Sequence, residues 1–290
     1  MLQETAVPSA TTVAAAARSV LEPAIAARAF PGAAFGVLCR GEILAVDAVG
    51  RFTYEPNSPA VQPDTVFDLA SVSKVVATTA AAMVLHSRGL LDMDARLGDI
   101  LPGFVIGMEP GSGKERVTLR MLLAHSSGLP AYVTFFREHS TADGLMRAAL
   151  RLPLEAKPDA RTEYSDPGFI LLGKAVEILA QECLATFCAR EIFAPLRLQS
   201  TCFRPPIAVR STIPPTENDA TFRHRVIQGE VQDENAFVLG GVAGHAGVFS
   251  NVRDLLTFAQ CILDQGRTAS GKPLFSPATL AQFTERHTTP

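Results

Sequence analysis

The 290-residue chain contains no tryptophan, only three tyrosines and no surplus of positive charge. Lys and Arg total 26 against 29 Asp and Glu, a formal net charge of -3. No basic excess is available to neutralise a run of phosphates, so nucleic acid is not expected as a partner. The basic residues are scattered, which argues against a polybasic membrane patch. The longest apolar-plus-threonine run, Val75 to Leu85, is too short to cross a bilayer and reads as a buried helix. Five cysteines (Cys39, Cys183, Cys188, Cys202 and Cys261) give an odd count without a C-x-x-C pair. A disulfide framework and a zinc knuckle are both disfavoured, and buried free thiols in a reducing compartment are expected. The first twenty residues lack the basic-then-apolar order of a secretory signal, so a cytoplasmic location is expected.

What remains is 47% apolar and 19% charged, the balance of a globular protein. Residues 1–10 carry no pattern and are expected to be loose. Residues 11–29 are Ala-rich and helical in propensity, with Pro23 as a kink. Ala33–Cys39 and Glu42–Val49 read as two strands joined by Arg40-Gly41, a hairpin signal. A helix is expected from Ser71 to about Arg88, closed by Gly89. Others are expected over Thr118–His125, over Thr141–Leu150, from Asp166-Pro167 to about Glu182, from Ser250 or Asn251 to Gly266, and from Ser276-Pro277 onward. Asp166 is placed as the N-cap of its helix with Pro167 at the first helical position. Residues 200–240 are rich in proline and polar groups, and so long an irregular stretch is expected to be functional.

Several motifs fail. Pro110-Gly111-Ser112-Gly113-Lys114 lacks the first glycine and the Ser/Thr of a phosphate loop and reads as a surface turn. No H-E-x-x-H or G-x-S-x-G element occurs, and no metal or cofactor is predicted. One motif has chemical content. Ser71-Val72-Ser73-Lys74 is an S-x-x-K element at the head of the most apolar helix. Spacing i,i+3 puts Ser71 and Lys74 on one face, a turn apart. A serine hydroxyl needs a base beside it. A lysine among Val75 and Val76, near the positive end of a helix, is disfavoured as a cation and so suited to that role. The competing account makes Ser71 a helix cap and Lys74 a snorkelling surface residue. Ser73 faces about 100° away and is the weaker nucleophile candidate.

The wording around these residues carries a resemblance. Phe67 to Lys74, Phe-Asp-Leu-Ala-Ser-Val-Ser-Lys, resembles the nucleophile segment of the serine beta-lactamase family, in the branch of class C enzymes, penicillin-binding proteins and esterases. Leu122 to Pro130 resembles that family's loop after the active-site helices. Tyr164-Ser165-Asp166 is similar to its second motif, Y-x-N. Leu239 to Ser250 resembles its glycine-rich approach to a late helix. The resemblance runs from about residue 30 to the end. It implies an α+β fold, an α/β sandwich with an all-helical subdomain and an antiparallel sheet flanked by helices. One catalytic domain would span 1–290, with its sheet part in 30–70, a mainly helical part in 71–240 and late helices in 241–290.

The resemblance also implies an acyl-enzyme mechanism, with Ser71 attacking a carbonyl, Lys74 taking its proton and Tyr164 passing it to the leaving group. Asp166, His245 and Ser127 are the candidate binding residues. Two departures stand out. Asp166 replaces the family's asparagine, and if it faces Lys74 it favours the cation and opposes the lysine as base. His245-Ala246-Gly247 spells the H-x-G form of the third motif, which in the family sits on a late sheet strand, yet here it precedes a helix beginning at Ser250 or Asn251, where the family has a loop. The expected third motif and the strands around it would lie beyond Pro290, which would leave an incomplete sheet with an exposed apolar face.

The leading expectation is therefore a serine hydrolase acting on a small ester or amide, an esterase or an amidase of cell-wall fragments. The alternatives are a non-catalytic ligand-binding relative, an inactive truncated fragment of that hydrolase, or a Ser-His-Asp hydrolase using His125 or His245 as base. The sequence offers no reading of oligomeric state.

Overall fold

The computed structural model describes residues 9–109 and 111–287. The loose N-terminus expected over 1–10 falls largely outside these, although Ser9 is ordered as a cap: its hydroxyl accepts from Thr12 N–H. Helix α1, Ala10–Ala26, follows and contains Pro23. The hairpin forms as read, with β1 Gly32–Cys39 antiparallel to β2 Glu42–Gly50. Arg40 and Gly41 both take positive φ, 50° and 84°, which a two-residue hairpin turn of this hand requires.

Phe35 pairs with Asp47, and Asp47 is held by Arg18 of α1, so this face of the hairpin meets α1. Gly36 points to the other face, where a β-carbon would come within 2.6 Å of Leu256. The hairpin is thus flanked by a helix on each face. It remains a two-stranded sheet, and no residue of β1 is fully buried.

Strand β3, Phe67–Asp68, leads into the segment expected as one helix from Ser71 to Arg88. The structure divides it into a 3-10 turn over Ala70–Val72, a π-helical turn over Lys74–Thr79 and helix α2, Ala80–Ser87. Gly89 closes it at φ 71°. Residues Ala80 to Leu85 of α2 are all buried, which is why this run reads as uniformly apolar. Short helices α3 (Leu97–Ile100) and α4 (Leu119–Leu123) follow, then α5 (Ala142–Arg151), α6 (Asp166–Ala180) and α7 (Leu184–Cys188). The main core lies between α2 and the buried side chains Ile170, Leu171, Leu172 and Val176 of α6.

The stretch 200–240 is more ordered than its composition suggests. It holds β4 (Cys202–Phe203), a small hairpin of β5 (Pro215–Asp219) and β6 (Arg225–Gln228), and α8 (Glu234–Val238). Strand β7, Val248–Ser250, lies between β3 and β4 and pairs antiparallel with both. It stands where the sequence suggested only a glycine-rich approach to a helix. Helices α9 (Val252–Leu263, capped by Asn251) and α10 (Pro277–Thr284, capped by Ser276) complete the α+β fold.

Three local readings need correction. Ser165, not Asp166, caps α6, because its hydroxyl accepts the N–H of Gly168 at 3.0 Å. Lys114, read as part of a surface turn, is 6% exposed. Its Nζ donates to Leu150 O at 2.8 Å and Leu152 O at 3.0 Å, satisfying carbonyls at the end of α5. All five cysteines are free, but only Cys188 and Cys261 are buried; Cys39 and Cys202 are half-buried and Cys183 is exposed.

Candidate active site

The 3-10 turn after β3 leaves Ser71 exposed at the surface while Lys74, one turn on, is 3% exposed. Lys74 Nζ donates to Ser71 Oγ at 2.8 Å. It also donates to the backbone carbonyl of His245 at 3.2 Å and lies 2.7 Å from Asp166 Oδ1. A buried lysine is tolerable only when paired and hydrogen-bonded, and here it makes two hydrogen bonds and one ion pair. The lysine is therefore not left to desolvation alone, as its apolar neighbours suggested, and one of those neighbours, Val75, is 55% exposed. The tie between Asp166 and Lys74 follows from the cap. With Ser165 occupying the N-cap, the Asp166 carboxylate is free to reach across to Lys74.

Ser73 is fully buried and its hydroxyl accepts the N–H of Val248 at 3.0 Å, so it fastens the nucleophile turn to β7. One turn further on, Thr78 Oγ1 donates to Gly244 O at 2.7 Å. The loop leading into β7 is thereby held against the Ser71–Thr78 segment at three points.

Tyr164 is 51% exposed and presents its ring to this cluster, with its centroid 4.7 Å from Lys74 Nζ. Its hydroxyl makes no hydrogen bond among the described residues. The Tyr164 ring lies 4.6 Å from that of His125, which in turn lies 4.9 Å from Phe169. His125 takes φ 57° in the turn after α4, and its Nδ1 accepts the N–H of Ser165 at 3.0 Å. A backbone N–H can only donate, so this nitrogen carries no proton. Burial, then repulsion from Lys74, push the His125 imidazole down to about 4 against a smaller opposing pull from Asp166.

His245 is 1% exposed and its Nε2 lies 2.8 Å from Asp233 Oδ1. Its carbonyl, not its ring, meets Lys74. Neither His125 nor His245 hydrogen-bonds Ser71, so the arrangement is not that of a Ser-His-Asp triad. Asp233 also caps α8 by accepting Ala236 N–H at 2.7 Å. Burial alone would raise the Asp233 carboxyl, but the His245 ring, the Ala236 N–H and the charge of Lys74 together hold it below the ordinary carboxylate range. Ser127 makes no hydrogen bond to Ser71, Lys74 or Tyr164. It is 1% exposed and its hydroxyl accepts Leu129 N–H at 3.3 Å within the turn.

Sequence reasoning missed Asp233, Asp68 and the aromatic platform under Tyr164. Asp233 was readable as a cap, since Asp precedes Glu-Asn-Ala at a helix start, but its pairing with His245 depends on the loop between them. Asp68 was quoted in the nucleophile segment without a role.

Fold and site together define a mixed α+β protein with a buried lysine hydrogen-bonded to an exposed serine one helical turn away. A sequence model of the Beta-lactamase family matches residues 17–290, and the chain belongs to that family. It is 32% identical over 290 residues to an N-acetylmuramyl-L-alanine amidase of Bacillus subtilis (strain 168), covering 89% of this chain and 64% of that protein. It is 34% identical over 241 residues to a provisionally named D-alanyl-D-alanine carboxypeptidase of Escherichia coli (strain K12), covering 76% of this chain and 55% of that protein. The chain therefore spans less than two thirds of the length of each of these relatives. A class C beta lactamase structure from Rhodobacter sphaeroides shares the fold at TM-score 0.71 and 24% identity, covering 92% of this chain and 69% of that one.

Proposed function

We propose that the protein is a serine hydrolase that forms an acyl-enzyme on Ser71 and cleaves an amide or ester of a small cell-wall fragment. The observation that carries this reading is the 2.8 Å contact between Lys74 Nζ and Ser71 Oγ, with the lysine buried and the serine exposed. That geometry suits proton transfer between the two. Ser71 Oγ attacks the carbonyl carbon as its proton passes to Lys74, and the proton is then delivered to the departing nitrogen or oxygen. Water attacks the ester so formed, returning Ser71 and releasing the acid. The Tyr164 ring lies 4.7 Å from Lys74 Nζ, which supports Tyr164 as the group that passes the proton to the leaving group. Asp166 and the His245 carbonyl hold Lys74 in place.

The amidase and carboxypeptidase relatives support an amide of a cell-wall fragment as the substrate class. The free thiols support a cytoplasmic site of action. A second reading, a ligand-binding relative without turnover, is favoured by one observation: Asp166 pairs with Lys74, and a lysine held as a cation cannot accept the serine proton. Incubation with a fluorescent penicillin or a fluorophosphonate, followed by intact mass, separates the two. Stoichiometric addition to the wild type, abolished in Ser71→Ala, supports the hydrolase; an unmodified wild type supports the binder.

A further inference from the structure

Ala70, the residue before Ser71, has φ 45°, a left-handed backbone that a β-carbon disfavours. Such a conformation persists only where the surroundings over-determine it. The Asp68 carboxylate supplies the constraint: Oδ1 accepts the N–H of Ala70 at 2.9 Å. The other oxygen, Oδ2, accepts the N–H of Gln232 at 2.8 Å. The next residue is Asp233, whose carboxylate holds His245, whose carbonyl receives Lys74. Two consecutive residues are therefore tied to opposite ends of the same reacting pair. The backbone of Gln232 is bound to the turn that carries Ser71, and the side chain of Asp233 to the loop that receives Lys74.

This segment is itself braced. The Arg223 guanidinium, 4% exposed, donates to Val231 O at 2.8 Å and to Gln232 O at 2.5 Å. Its Nε is paired with Asp219 Oδ2 at 2.8 Å. A short, stiff piece of loop 200–240 thus serves as a common reference for both groups, although it contributes no atom to the Ser71–Lys74 contact.

We propose that Asp68 and Asp233 are positioning residues which, through the Gln232-Asp233 segment, jointly set the distance and alignment between Ser71 and Lys74. The proposal rests on the reading of Ser71 as nucleophile. Misplacing reacting groups by about 1 Å can cost about 10²-fold in rate without weakening ligand binding. Because both clamps fix one distance, releasing the second after the first changes little, and the two losses are not multiplicative.

The test is a double-mutant cycle of Asp68→Asn, Asp233→Asn and the double variant. Single-turnover acylation by a fluorescent penicillin is followed over a range of probe concentrations, with intact mass as the measure of stoichiometry. Each single variant should slow maximal acylation by about 10- to 100-fold, leaving half-saturation within about twofold. The double variant should fall no more than about threefold below the slower single. Where an Asn variant does not fold, Asp68→Glu, which displaces the oxygens by one methylene, carries the same expectation. Single-variant losses that multiply in the double, or changes confined to half-saturation, overturn the proposal while Ser71 still takes the label. A wild type that takes no label at Ser71 removes the underlying reading and the proposal with it.

Discussion

Lys74 Nζ and Asp166 Oδ1 lie 2.7 Å apart, and their side chains retain only 3% and 16% of their exposure. The pair joins the nucleophile turn to the first turn of α6, so it is both a structural contact and the immediate environment of Ser71. The cost of burying either charge is met by the other and by the serine and carbonyl that Lys74 also contacts.

Removing one partner should therefore cost more than removing both. Asp166→Ala leaves the buried Lys74 without its ionic partner and is expected to destabilise the protein by about 2–4 kcal/mol, toward the lower end of the range for broken buried pairs because Asp166 keeps some solvent contact. Lys74→Met with Asp166→Leu should recover most of that loss while abolishing acylation. Urea unfolding at pH 7 measures both, and a double variant less stable than Asp166→Ala would show that the pair contributes net stability of its own.

Substitutions at the reacting pair should separate chemistry from folding. Ser71 is exposed and its hydroxyl only receives the hydrogen bond from Lys74, so Ser71→Ala should leave the thermal midpoint nearly unchanged and abolish covalent labelling. Lys74→Arg retains charge but does not deprotonate usefully, and acylation should fall by about 10²–10⁴-fold. Labelling mapped to Ser73, or near-normal acylation by the arginine variant, would contradict these assignments.

His125 gives the stability a pH dependence whose sign is fixed. Its ring titrates at about 4 in the folded chain, below the ordinary value of 6.5. The unfolded chain therefore binds the extra proton first as the pH falls. The stabilisation is fully present above about pH 6.5, is lost progressively toward pH 4, and is constant at its reduced level below that. The full effect is on the order of 1–3 kcal/mol, allowing for solvent screening of a partly exposed ring. Protonating Nδ1 also breaks the bond from Ser165 N–H, which loosens the N-cap of α6. His125→Asn keeps an acceptor for that N–H but cannot titrate. Urea unfolding at pH 7.5 and pH 4.5 should show a smaller difference for the variant than for the wild type, and equal differences would remove His125 as the source.

The helices, the hairpin and the Ser71–Lys74 pairing were legible because each is written in local periodicity or spacing. The π-helical turn at Lys74–Thr79 was not, since a single widened turn leaves the apolar run unchanged. The cap of α6 was ambiguous for a similar reason. Serine and aspartate are about equally good N-caps, so Ser165-Asp166-Pro167 supports either frame. The structure takes the Ser165 frame, and Asp166 pairs with Lys74, a partner 92 residues away that local spacing does not reveal. The role of His245 was beyond local reading altogether: its carbonyl meets Lys74 across 171 residues of chain, and its ring is directed by a carboxylate in a stretch that looked irregular. Strand β7 is only three residues long, too short to announce itself among glycines.

The loop that brings His245 to Lys74 depends on a near-contact of two glycines. A β-carbon on Gly244 would lie 2.0 Å from Phe169 O and 2.9 Å from the Cα of Gly173, and one on Gly173 would lie 2.7 Å from the Cα of Gly244. These are backbone atoms, so neither clash can be relieved by turning a side chain. Gly244→Ala must instead push the loop away from α6, and Gly244 O is the acceptor for Thr78 while the adjoining His245 O is the acceptor for Lys74. Overpacking of this kind costs about 1–3 kcal/mol. The displacement should also loosen the His245 contact that helps hold Lys74 against Ser71, so acylation should fall by at least about 10-fold at temperatures where the variant remains folded. Gly173→Ala strains the same contact from the α6 side and should behave alike. Gly240→Ala is the control, because a β-carbon there meets nothing within 4 Å and the strain of its positive φ stays local to the loop tip. It should lose stability by about 1 kcal/mol while keeping acylation near that of the wild type. Thermal melts paired with single-turnover labelling of the three variants distinguish the cases. Near-wild-type acylation in a folded Gly244→Ala protein would show that the close approach of the loop to α6 does not set the position of Lys74.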